Sequence, residues 1–259
     1  MLTFRNTNIV FGVLLSAFVV SDLLQHNVPV IMYSLLAISY SLLLFYGSYF
    51  VHSQFYMKTI CSADTSEKKI ALTFDDGPLN NHTPQILSIL ETCKVKATFF
   101  CIGKNAATHA DLLKQAHQQG HIIGSHSYNH SFWFDLLSSK KMEADLQQAH
   151  NLFEKELGLN VKWFRPPYGV TNPNLKKAVE RMGYTAIGWN VRSMDTVAKD
   201  HQGLLNKLKQ SLKPGAIYLF HDTMFITVKV LPDFIIYAQQ QGYEITPLDK
   251  LLNLQPYAD

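Results

Sequence analysis

The sequence predicts an α/β fold, a closed or nearly closed (β/α) barrel of about seven parallel strands, preceded by a transmembrane helical hairpin. Three observations carry that prediction. Short apolar runs alternate with helix-period stretches over residues 68–259, which favours a parallel sheet with helices outside it. No glycine-rich phosphate-binding turn supports the competing open, doubly wound sheet. Two long apolar segments stand near the N-terminus, separated by only a few polar residues.

The first apolar segment, 9–24, is interrupted by Ser16, Ser21 and Asp22 alone, and the second, 28–51, carries no charge. As a helix the second would be roughly 36 Å long, enough to cross a bilayer with some tilt. Its Tyr33, Tyr40, Tyr46 and Tyr49 partly match an interfacial aromatic belt. A cleaved signal peptide is the alternative for the first segment, but only Arg5 precedes it and no clean small-x-small site follows. Arg5 lies before the hairpin, Lys58, Lys68 and Lys69 lie after it, and the loop between has neither Lys nor Arg. The positive-inside tendency then places the soluble domain on the cytoplasmic side, with membrane lipid as a partner. Residues 52–67 read as a linker, and 68–259 as one compact catalytic domain.

Within that domain strands are expected at 69–74, 97–102, 121–124, 162–164, 185–189, 216–220 and 244–246. The first helix is expected at 84–93, with Thr83 as its N-cap and Pro84 in its first turn. Others follow at 106–119, 138–157 and 173–182, closed by Gly120, Gly158 and Gly183, and then at 203–212 and 228–241, the last closed by Gly242. The 23 basic and 20 acidic residues leave a net charge of +3, and no basic run is interleaved with aromatics, so nucleic acid is not an expected partner. Cys61, Cys93 and Cys101 have no metal-type spacing and form no disulfide framework.

In a βα barrel the reactive groups stand at the carboxyl ends of the strands. Those positions hold Asp75-Asp76 after strand one, His126 to His130 after strand three, and Arg165 to Gly169 after strand four. Strand five leads to Asp195, and strand six ends in His221-Asp222. His126 and His130, four residues apart, can present both rings to one point, and with one carboxylate they suit a catalytic divalent ion, most simply Zn2+. If Asp76 binds that ion, Asp75 is left as an unligated base, which Arg165 can hold ionised. Pro166 and Pro167 stiffen the turn that would aim the Tyr168 backbone N–H at an oxyanion. His221 is the candidate acid for a leaving amine, kept protonated by either Asp195 or Asp222.

The stretches TFDDGP at 73–78, HSYNH at 126–130, RPPYG at 165–169 and IYLFHD at 217–222 follow one another in the order seen in polysaccharide deacetylases. From residue 68 to about 252 the chain resembles that family, the NodB-homology domains of carbohydrate esterase family 4. The resemblance implies a distorted (β/α) barrel that removes N-acetyl groups from amino sugars of a glycan with bound Zn2+. It implies Asp75 as base, Asp76, His126 and His130 as metal ligands, and Arg165 as partner of the base. It further implies Tyr168 as oxyanion donor through its backbone, His221 as acid, Asp195 as the carboxylate that tunes it, and Trp189 and Leu219 as the wall against the acyl methyl. The chain departs from the family pattern at Arg192 and Thr196, which stand where an acidic and an aromatic residue are common.

Two alternatives accompany this expectation. One is a deacylase or deformylase of a lipid-linked sugar, motivated by the hairpin. The other is a non-catalytic sugar-binding or assembly protein on the same fold, against which all the named polar residues stand. A metal-dependent phosphoesterase would want a second metal cluster or more basic residues at the rim. Phe132, Trp133 and Phe134 form either the start of a packed helix or a sugar-stacking or lipid-facing edge.

Overall fold

The computed structural model describes residues 2–258. Two helices open the chain, α1 (Phe4–Leu23) and α2 (Val30–Tyr49), each of 20 residues and so about 30 Å long. The Thr3 hydroxyl caps α1 by accepting from the Asn6 N–H at 3.2 Å. Two tyrosines hydrogen-bond within the hairpin: Tyr33 donates to the Asp22 carboxylate at 2.7 Å and Tyr40 donates to Asn8 at 2.8 Å. Both helices are long and apolar enough to cross a membrane, and only 6% of either span is buried within the protein. Helix α1 begins at Phe4 rather than at residue 9, because the polar turn before the apolar run is helical too.

The remaining elements are β1 (Lys69–Asp75), α3 (Thr83–Thr92), β2 (Thr98–Cys101), α4 (Gly103–Thr108), α5 (Ala110–Gln118) and β3 (Ile122–Ser125). Then come α6 (Ser139–Leu157), β4 (Asn160–Val161), β5 (Trp163–Phe164), α7 (Pro173–Arg181), β6 (Thr185–Ala186) and β7 (Val191–Arg192). The chain finishes with α8 (His201–Gln210), β8 (Ala216–His221), α9 (Phe225–Gln240), β9 (Glu244–Ile245), α10 (Leu248–Leu252) and β10 (Tyr257–Ala258). Seven parallel strands form a curled half-barrel in the order β6-β5-β3-β2-β1-β8-β7, with β9 beside the first residues of β1. Strands β4 and β10 make a separate antiparallel pair.

The barrel stays open between β6 and β7. Residues 60–63 cross that gap instead: Ile60 N–H donates to the Ala186 carbonyl at 2.9 Å and Ala63 N–H donates to the Gly215 carbonyl at 2.9 Å. The 52–67 segment, expected only as a connection, thus carries tertiary contacts, and Phe55, Tyr56 and Met57 are buried in it.

Several boundaries differ from expectation for local reasons. The strand expected at 185–189 stops at Ala186, and β7 starts afresh on β8; between them the Asn190 side chain accepts from the Ile217 N–H at 3.0 Å. The helix expected at 106–119 is two helices broken at His109, whose φ of −124° and ψ of 48° are not helical. Thr83 does not cap α3 but is its first residue, its hydroxyl accepting from the Leu79 N–H at 2.9 Å and donating to Asp222 at 2.7 Å. Helix α8 starts earlier than expected, at His201, because the Asp200 side chain accepts from the Gly203 N–H at 2.6 Å.

Strand β1 decides where the core and the site lie. Its side chains alternate, as the two-residue period of a strand requires. Ile70, Leu72 and Phe74 pack outward with α3 and α9 residues in the main core, each large side chain contributing about 1.5–3 kcal/mol by burial. Ala71 faces inward with Phe100, Trp163 and Ile217, and Thr73 and Asp75 follow it on the inner face. The Cα register sets Thr73 opposite Leu219 and Asp75 opposite His221.

Candidate active site

Asp75 ends β1, and Asp76 leaves the strand with a φ of +82°. That left-handed backbone breaks the alternation, so adjacent carboxylates line one cavity instead of opposite faces. The Asp76 carbonyl is held by Asn105 Nδ2 at 2.7 Å. The loop after β3 is equally contorted, with positive φ at Ser127 and His130. Asp145 on α6 stabilises it by accepting from the Tyr128 N–H at 2.7 Å, the Asn129 N–H at 3.2 Å and Asn129 Nδ2 at 2.7 Å. The two imidazoles consequently sit with ring centroids 4.7 Å apart.

One ligand atom each from Asp76, His126 and His130 lies within 4.8 Å of the others. His126 Nε2 and His130 Nε2 are each 3.6 Å from Asp76 Oδ1. Such separations are too long for hydrogen bonds but close to the roughly 3.3 Å between two ligands on one tetrahedral ion with bonds near 2.0 Å. His126 Nδ1 sits 2.8 Å from the Arg165 carbonyl, which can only accept, so the proton is on Nδ1 and Nε2 is free to ligate. Burial, with the His130 charge, pulls His126 down to about 3, keeping it neutral. His130 Nε2 is buried with no hydrogen-bond partner among the described residues. This donor set fits a divalent metal.

Asp75 is buried against Arg165, whose Nη1 donates to Oδ1 at 2.8 Å. The same guanidinium donates to the Thr73 hydroxyl at 2.7 Å and to the carbonyls of Ile187 and Gly188, and it stacks 4.1 Å above the Phe100 ring. Burial raises the Asp75 carboxyl above its ordinary range, opposed by Arg165 and His221. A carboxylate so held is a stronger base than an exposed one.

Across the cavity His221 is paired with Asp195, Nδ1 to Oδ1 at 2.7 Å, and its backbone N–H donates to Oδ2 at 2.7 Å. Thr227 on α9 donates a further bond to Oδ2 at 2.7 Å. Burial depresses the imidazole, but the Asp195 hydrogen bond and charge outweigh it and leave His221 above its ordinary value. Of the two carboxylates that could have served, the contact is made by Asp195. Asp222 turns away to Thr83 at the start of α3, where burial lifts it to about 7, and it packs where any Cβ on Gly77 would stand.

Tyr168 has a φ of 59°, and its N–H donates to no acceptor among the described residues. The next residue, Gly169, also has positive φ, and a Cβ there would lie 2.6 Å from the Trp189 ring. Trp189 and Leu219 line a cavity of about 230 Å³ with Asp75, Asp76, His126, His130 and His221. Arg192 and Thr196 also reach it. All ten residues singled out from the sequence therefore converge on or directly support one cavity.

A family model for polysaccharide deacetylase matches residues 62–187. Peptidoglycan-N-acetylglucosamine deacetylase of Bacillus cereus is 34% identical over 196 residues, covering 72% of this chain and 89% of the relative. The chain belongs to the polysaccharide deacetylase family. A second relative, peptidoglycan-N-acetylmuramic acid deacetylase of Bacillus subtilis, is 32% identical over 195 residues, covering 73% of each chain. A crystal structure of a peptidoglycan N-acetylglucosamine deacetylase superposes with a TM-score of 0.73 at 26% identity, covering 77% of this chain and 95% of that one. The protein is thus a carbohydrate deacetylase, a hydrolase, and the non-catalytic alternative is set aside.

The deacetylase site also uses residues that sequence reasoning missed. Thr73 had a signal, since it lies two residues before Asp75 and must share its face. Asn105, Asp145 and Thr227 had none, because each sits in or beside a helix and acts on the site from far along the chain.

Proposed function

We propose that this deacetylase hydrolyses the N-acetyl amide of amino sugars in a glycan, by a base and an acid on opposite sides of a metal-ligating group. The observation that carries this is one cavity holding Asp76, His126 and His130 with Asp75 and His221 beside them. A divalent ion, Zn2+ by the two-imidazole, one-carboxylate donor set, would acidify water and polarise the acyl carbonyl when bound. Asp75, oriented by Arg165, takes the proton from the attacking water. The Tyr168 N–H, free of other acceptors, donates to the oxyanion as the carbonyl carbon becomes tetrahedral. His221, held charged by Asp195, gives its proton to the nitrogen as the C–N bond breaks, leaving a free amine and acetate. Trp189 and Leu219 enclose the acyl methyl.

The relatives named for peptidoglycan N-acetylglucosamine and N-acetylmuramic acid support a polymer of that kind as substrate. Residues 1–51 anchor the protein as two membrane spans, and 68–259 form the catalytic domain, into which 52–67 packs across the barrel gap. Arg5 and Lys58, at the ends of the hairpin nearest the domain, support a cytoplasmic placement. A second substrate, an N-acylated sugar on a lipid carrier, is favoured by the hairpin and by a cytoplasmic domain; an outward-facing domain would favour the polymer instead. Release of acetate or formate is to be measured from polymeric, oligomeric and lipid-linked N-acyl sugars, with and without chelator. Loss of all release on chelation is expected; undiminished release in chelator would exclude the metal-dependent reading.

A further inference from the structure

We infer that the loop Ser131–Leu137 beds into the headgroup region of the bilayer that holds the hairpin, so that the mouth of the cavity opens onto the membrane surface and receives a membrane-borne glycan. This rests on the reading of α1 and α2 as membrane spans.

The connection from hairpin to cavity is short and made of hydrogen bonds. The last carbonyls of a helix have no partner within it. At the end of α2 the catalytic domain supplies partners: Thr171 N–H donates to the Ser48 carbonyl at 3.1 Å, and its hydroxyl donates to the Gly47 carbonyl at 3.0 Å. Tyr56 donates to the Leu44 carbonyl at 3.2 Å, and Phe55 lies where a Cβ on Gly47 would be. Thr171 is three residues beyond Tyr168, so at most about 11 Å of chain separates the Tyr168 amide from that contact. The same segment holds the loop, since Asn172 Nδ2 donates to the Asp135 carbonyl at 2.7 Å and Asn174 Nδ2 donates to the Leu137 carbonyl at 3.2 Å.

What this loop presents is apolar and uncovered. Phe134 is buried and starts a short 3-10 turn, as a packed helix start would be, but Phe132, Trp133 and Leu136 are 70%, 61% and 72% exposed. Phe45, Tyr49 and Phe50 are exposed aromatics at the end of α2 that Thr171 contacts, the place of an interfacial belt if α2 spans a membrane, and the 171–174 segment ties the loop to that end. Phe132 also lies 6.3 Å from the Tyr168 ring, which stands 4.6 Å from His130. The uncovered face therefore borders the cavity mouth. A bilayer interface is the occupant that continuity with α2 selects.

The test uses the full chain in phosphatidylcholine vesicles, with lipid brominated near its headgroup as a quencher of tryptophan fluorescence. Trp163 is buried and Trp189 is half-buried in the cavity wall, so most quenching is expected to come from Trp133 and to fall sharply in Trp133→Tyr. Equal quenching in the two proteins overturns the inference. Resistance to alkaline extraction is measured in parallel. If the chain is extracted, the membrane reading fails and the inference with it; if it resists and Trp133 is unquenched, the inference alone fails. A second measurement compares an N-acetylglucosamine oligosaccharide coupled to a phospholipid with the same oligosaccharide free. The pair Trp133→Ser and Leu136→Ser is expected to slow deacetylation of the lipid-borne form about tenfold and leave the free form within about twofold, as loss of apolar area at an interface implies. Equal slowing of both would make the loop a sugar platform and overturn the inference, while absence of deacetylation of either form would fail the proposed activity and leave the quenching to judge the loop.

Discussion

Asp75 and Asp76 are chain neighbours with unlike surroundings. Asp75 is buried against Arg165, whereas Asp76 faces two imidazoles. Replacing Asp75 with Asn is expected to lower kcat by about 10²- to 10⁴-fold, the usual contribution of a positioned base. Metal content measured on the same preparation should stay unchanged; a parallel loss of metal would make Asp75 a ligand instead. His221 is raised by Asp195 against its burial, so it stays protonated to higher pH than a free imidazole. Asp195→Asn removes the raising group, and the alkaline limb of kcat/KM is expected to move to lower pH; an unmoved limb would separate His221 from that limb. The pair bears on stability in the same sense. Asp195 is depressed, as the His221 contact overcomes burial, so its contribution is lost as pH falls through its folded value. His221 is raised, so its contribution is lost as pH rises through its folded value, leaving the pair most effective between about pH 4 and 6.5.

Among elements, the loop after β3 shows how a helix can govern a site it does not enter. Asp145 on α6 accepts three bonds from Tyr128 and Asn129, and these hold His130 in its left-handed conformation beside His126. Asp145 touches no ligand itself, so Asp145→Ala is expected to weaken metal binding by less than the roughly 10- to 100-fold that follows loss of a ligand's own hydrogen-bond partner. Competition with a chromogenic chelator measures this, and unaltered affinity would limit Asp145 to folding. Strands β1 and β8 were legible because unbroken apolar runs mark parallel strands buried on both faces. Strand β7, two residues long, has no such run, and the break at His109 carries neither Gly nor Pro to announce it.

Across the molecule, Arg165 joins the far edge of the half-barrel to its centre. Its side chain is fully buried and reaches Thr73, Asp75, Ile187 and Gly188 from the residue after β5. Arg165→Leu leaves a buried carboxylate without its partner, and such a loss costs about 3–5 kcal/mol. Urea unfolding of the variant is expected to show a correspondingly lower midpoint at pH 7, with part of the loss recovered at acid pH where Asp75 is protonated. A midpoint equal to the parent's at pH 7 would show that the pair contributes little to folding.

The fold class, both apolar helices and the metal-ligand, base and acid residues could be read from the chain alone, while Trp189 and Leu219 were implied only by the family resemblance. Strand period, helix stops and the clustering of polar groups at strand ends are local properties, each encoded within a few neighbouring residues. Which carboxylate meets His221, how Asp75 and Asp76 come to share a cavity, and that the hairpin is bonded to the loop of Tyr168 were decided by tertiary structure. These depend on left-handed residues at Asp76, His130 and Tyr168 and on contacts between groups as distant as Gly47 and Thr171, which no local pattern specifies.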